Sequence, residues 1–129
     1  MTRGVNINFD GANNILIFNV IGKPSLDEIM FSIRDSFPKY QPKNVMWDLS
    51  NAFLHVVDFE FISKVSGATQ EMFPYRTPGG RTAIVVSDPS EVLLLKVYTS
   101  MTSLSGAPSE YKLFESRSDA LDWISERAS

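Results

Sequence analysis

The sequence predicts one α/β domain on a five-stranded, mixed but mostly parallel sheet, and three observations carry that expectation. Apolar runs of strand length alternate with segments of helical period in the order β-β-α-β-α-β-α-β-α. After the initial hairpin, each strand therefore needs a crossover, which makes the sheet parallel and leaves the first strand as its antiparallel edge. Helix-start signals stand ahead of the four helical segments: Ser25 with Glu28, Asp58, Asp88-Pro89-Ser90-Glu91, and Ser116 with Asp119. The chain has 129 residues, 43% of them hydrophobic and 21% charged, a size and composition that suit a single domain over residues 1–129.

Val5, Ile7 and Phe9 alternate with Asn6, Asn8 and Asp10, the period of a strand with one wet face, and Gly11-Ala12-Asn13-Asn14 reads as the hairpin turn. Ile15–Ile21 is denser and belongs further inside the sheet, up to the stop at Gly22-Lys23-Pro24. Leu26, Ile29, Ile33 and Phe37 give the first helix an apolar face, and Pro38 is expected to close it. Lys43–Leu49 reads as the third strand. Ile62, Val65, Thr69, Met72 and Phe73 line the second helix, and Gly67 within it suggests a close approach to a neighbouring backbone. Residues 74–80 read as a long loop, and Thr82–Val86 as a short strand covered on both faces. Leu94, Leu95, Tyr98, Met101 and Leu104 face inward on the third helix, while Leu93 and Val97 form a second apolar side. Tyr111, Leu113 and Phe114 mark the fifth strand. Ala120, Leu121, Trp123 and Ile124 follow in the last helix.

The bulk composition excludes several function classes. Net charge is −3, so no basic stripe supplies the main driving term of nucleic-acid binding. With no cysteine and one histidine, neither a disulfide nor a usual zinc site can be assembled, and no metal or cofactor is expected. The N-terminus has no apolar signal core, and no apolar run approaches the ~20 residues of a membrane span. A soluble cytoplasmic protein is the expectation.

Asn44–Asp58 is the most informative stretch. A buried strand hands over to a helix N-terminus through a segment carrying Phe53, Leu54, Val56 and Val57, at the end of an open α/β sheet where sites collect. The element order, Asp48-Leu49-Ser50 and Asp58 resemble the STAS domains, the anti-sigma-factor-antagonist family, and most of all its SpoIIAA-like group. Arg81-Thr82-Ala83-Ile84-Val85 is similar to that group's fourth strand, and Phe114-Glu115-Ser116 with Ala120–Ile124 to its ending. The resemblance implies a β-α superhelix and a regulatory, protein-binding role. It also implies a phosphorylatable serine after the aspartate that opens the second helix, but Phe59 stands there, so this is a non-phosphorylatable variant. Ser50 and Ser63 do not match that position.

Three functional readings follow. Phe53, Leu54, His55, Val56, Val57, Asp58 and Phe59 form a partner-binding surface, with Leu93 and Val97 as a homodimer face; the alternative is that these side chains finish the monomer's own core. A second reading is a carrier of a small apolar ligand or lipid, with Phe31, Phe61 or Tyr98 lining the cavity. A third, disfavoured, makes Asp48, His55 and Asp58 acid/base machinery. No nucleophile elbow or phosphate loop accompanies it, and Pro78-Gly79-Gly80-Arg81 reads better as a turn than as an anion nest.

Overall fold

The computed structural model describes residues 4–54, 57–87, 92–104, 106–107 and 109–126, without the side chains of Leu94, Ser103 and Leu104. Five strands, β1 (Gly4–Asp10), β2 (Ile15–Gly22), β3 (Asn44–Ala52), β4 (Gly80–Val85) and β5 (Ser109–Phe114), lie side by side in chain order. β1 pairs antiparallel with β2, and every later pairing is parallel. Helices α1 (Leu26–Tyr40), α2 (Phe59–Glu71), α3 (Val92–Leu104) and α4 (Arg117–Ser125) make the crossovers and the ending. This is the predicted mixed sheet with β1 at its edge.

The two faces are covered unequally. Alternate residues of the strands, Leu16, Phe18 and Val20, Val45, Trp47 and Leu49, and Ile84, meet Ile29, Ile33 and Phe37 of α1, Ile62 and Val65 of α2, and Leu95 and Tyr98 of α3. The intervening residues Ile15, Ile17, Met46, Ala83 and Val85 meet α4 alone among the helices, through buried Ala120 and Ile124 and half-buried Leu121 and Trp123. Phe18 stacks on Trp47 at 4.1 Å at the centre of the larger layer.

Side-chain caps start the helices as predicted. Ser25 accepts from the Glu28 N–H, Asp58 from Phe61 and Ser116 from Asp119. The Asp88–Glu91 cap lies outside the described residues.

Four local expectations change. α1 does not stop before Pro38 but runs to Tyr40, where Gln41 at φ 46° closes it by donating to the Phe37 carbonyl. Late in a helix a proline removes one bond, and buried Phe37 together with Tyr40, stacked on Phe9 at 4.7 Å, outweighs that loss. β3 continues past Leu49 to Ala52 because a bulge takes up an extra residue: Asn19 faces Asp48, but Ile21 faces Asn51. Gly67 makes no close approach, since a methyl group there would meet nothing within 4 Å. The segment read as a long loop after α2 contains a 3-10 turn, Phe73–Tyr75, and a buried arginine, Arg76, 4% exposed. Met72 and Phe73 thus fall beyond α2, each half-buried.

Candidate functional site

The C-terminal ends of β2 and β3 and the start of α2 surround a cavity of about 50 Å³ between the sheet and α1–α3. Its walls include Val20, Trp47, Leu54, Phe61, Val65 and Tyr98. The wall carries two side chains with a polar group, Trp47 with its indole N–H and Tyr98, whose hydroxyl lies 3.1 Å from the Thr69 hydroxyl. Burial pushes this phenol above its ordinary pKa, a shift reinforced by Tyr111 and opposed by the hydroxyls of Thr69 and Thr102. The cavity therefore offers mainly shape and apolar contact.

The segment over this cavity divides its side chains between two environments. Leu54 is 6% exposed and Val57 is half-buried against the main core, so both help to finish the monomer. Phe53 and Phe59 point outward and are each 61% exposed. Leu93, in the first turn of the adjoining α3, is 73% exposed, whereas Val97 is half-buried on the core. Leu93 and Val97 thus do not share one open side. His55 and Val56 lie outside the described residues. Of the predicted cavity residues, Phe61 and Tyr98 line it, but Phe31 is 69% exposed on α1, its position falling between the inward rows at Ile29 and Ile33.

The two aspartates proposed as acid/base groups have structural partners in different layers. Asp58 caps α2, its carboxylate accepting from the Phe61 N–H at 2.8 Å. Asp48 lies on the α4 face inside β3, not at the strand's end. Its Oδ1 accepts from the Ser50 N–H and hydroxyl at 3.0 and 2.6 Å, and its Oδ2 from Arg117 Nη1 at 2.9 Å. The Ser50 N–H is the donor that the bulge takes from the ladder, so this carboxylate holds the bulge in place. Among the described residues no three His, Cys, Asp or Glu side chains gather as a metal site. Arg81, the cation of the candidate anion nest, is spent on Glu110, Glu126 and the Trp123 carbonyl, with its guanidinium 4.8 Å from the Trp123 ring centre.

Sequence reasoning missed a polar network at the opposite end of the same layer. Arg76 donates to the carbonyls of Lys43, at 3.0 Å, and Arg81, at 3.2 Å, with the Tyr111 phenol nearby. The Ser66 and Thr102 hydroxyls meet at 2.9 Å, and Gln70 donates to Ser66. Burial lowers the Arg76 pKa and raises that of Tyr111. The available signal was the small hydroxyl residues Ser66, Thr69 and Thr102 on otherwise inward-facing helix positions.

The arrangement defines a SpoIIAA-like α/β fold. An uncharacterised protein of the DUF3478 family with a SpoIIAA-like fold, from Shewanella loihica PV-4, aligns over 96% of this chain and 96% of its own, with TM-score 0.62 and 19% identity. An anti-sigma factor antagonist from Mycobacterium paratuberculosis aligns over 95% of this chain and 96% of its own, with TM-score 0.63 and 11% identity. No protein-family model and no curated protein matches the sequence. The fold expected from the sequence resemblance is therefore the fold found. Among the described residues no helix is long and apolar enough to cross a membrane.

Proposed function

We propose that this chain is a non-catalytic, single-domain interaction module that docks a protein partner on the rim that carries Phe53 and Phe59. The observation that carries this reading is the outward placement of Phe53 and Phe59, each 61% exposed, beside the apolar cavity mouth. Large aromatic side chains held open around an apolar depression suit the anchors of a protein interface. Leu93 extends the same end of the sheet onto α3. The anti-sigma factor antagonist among the structural neighbours fits a regulatory role, and a cytosolic one fits the composition.

The test is a Phe53→Asp, Phe59→Asp double variant, which leaves buried Leu54 in place. Partners cross-linked to the wild type in the source cell should be lost from the double variant while its urea midpoint stays within error. Retention of every partner by the folded variant rejects the rim as the contact.

The cavity favours a second reading, a carrier of a small apolar ligand. At about 50 Å³ it is a third of the ~150 Å³ that admits benzene in an engineered core, so a larger ligand would have to displace Leu54 or Phe61. Native mass spectrometry of freshly purified protein separates the readings: a stoichiometric co-purifying mass supports the carrier, and the bare chain mass supports the module.

A further inference from the structure

We infer that the outer edge of β1 is an interface between two copies of this chain, paired antiparallel about a two-fold axis at Ile7. Among the described residues β1 is bonded to β2 alone, and no backbone hydrogen bond outside that ladder involves residues 4–10. One side of the strand therefore presents open N–H and C=O groups. Proteins blunt such edges with charge, proline or a bulge. The opposite edge conforms: Glu110 and Lys112 are the exposed residues of β5. β1 does not, because Gly4–Phe9 contains no charge and no proline, and its register with β2 runs unbroken from Gly4 to Asp10.

A second copy is the occupant because the strand complements itself in this register. Ile7 faces Ile7 of the other copy, Val5 faces its Phe9, and Asn6 faces its Asn8. Val5 and Phe9 already pack on the α1 layer, so the apolar pairs extend one face and cover Ile7, which is 37% exposed. On the other face the Asn6 and Asn8 amides make no hydrogen bond among the described residues. A carboxamide carries both donors and an acceptor, so two of them pair reciprocally. Asp10, the one charge on the strand, is turned to the hairpin by its bonds to Ala12 and Asn13. The Glu28 carboxylate lies beside Gly4, which this register sets opposite Asp10 of the other copy, so acidic groups meet at both ends of the pairing and association strengthens with salt. The product is one continuous sheet with five strands from each copy. A single strand pair falls at the small end of specific interfaces, below about 1,200 Å², so the dimer exchanges with monomer as concentration changes.

Two double variants test the register. Asn6→Lys with Asn8→Lys sets lysine against lysine across both symmetry-related pairs, while Asn6→Lys with Asn8→Glu sets lysine against glutamate. Sedimentation equilibrium from micromolar to millimolar concentration should show wild-type dimers, association weakened about tenfold in the first variant and held within about threefold in the second. A wild type that stays monomeric throughout overturns the inference, as does equal association of the two variants, which would place the contact elsewhere. Phe53→Asp with Phe59→Asp leaves this dimer intact, so the outcome is independent of the rim.

Discussion

The layer between the sheet and α1–α3 closes in opposite ways at its two ends. Where β3, β4 and β5 begin, Arg76 ties the Lys43 and Arg81 carbonyls together beside Tyr111, and hydroxyl pairs bridge α2 to α3. Where β2 and β3 end, the walls are apolar, a cavity of about 50 Å³ remains, and Phe53 and Phe59 stand in solvent. Tyr98 joins the two, with its ring in the cavity wall and its hydroxyl on Thr69. Hydrogen bonds are directional, so the first end admits one arrangement; apolar contact is not, so the second can repack around whatever it meets. The polar end holds the fold and leaves the other free to adapt.

Removing Arg76 is the strongest way to break this contrast. Arg76→Ala strands the part-buried Lys43 and Arg81 carbonyls, and should lower unfolding free energy by about 3 kcal/mol in urea titration. A loss under about 1 kcal/mol would mean that water replaces the guanidinium and that this end is not the anchor.

Filling the other end should have the opposite sign and a smaller size. Val65→Ile places one more methylene against the void and should stabilise by up to about 0.8 kcal/mol. Destabilisation would show that the cavity is too shallow to take a methyl without strain. If the carrier reading holds, the same change should also weaken uptake of any co-purifying ligand.

Asp48 sharpens the comparison from outside the layer, because its bonds set where the Phe53 segment leaves β3. Burial raises its pKa, but the Ser50 N–H, the Ser50 hydroxyl and Arg117 outweigh that and hold it below the ordinary 3.8. A depressed carboxylate stabilises fully above its unfolded pKa and loses that contribution as pH falls through the folded one. The wild-type advantage over Asp48→Asn should thus be constant from neutral pH to about 5 and shrink below about 4. An advantage that persists unchanged into stronger acid would show that the bulge does not depend on this charge.

The order of strands and helices, the edge position of β1 and the caps at Ser25, Asp58 and Ser116 were all legible in the sequence. Those features depend on residues close in the chain, through period, turn chemistry and side-chain bonds to nearby N–H groups. Pro38 misled because propensity is local, while the contacts of Phe37 and Tyr40 that override it are not. The bulge at Asp48 was hidden for a similar reason, since its partner Arg117 lies 69 residues away. Only the folded chain decided that Leu54 turns inward while Phe53 and Phe59 turn out, because a connecting segment has no period to mark its buried side. The same holds for Arg76, whose loop composition gave no sign that the backbone carbonyls of Lys43 and Arg81 would surround it.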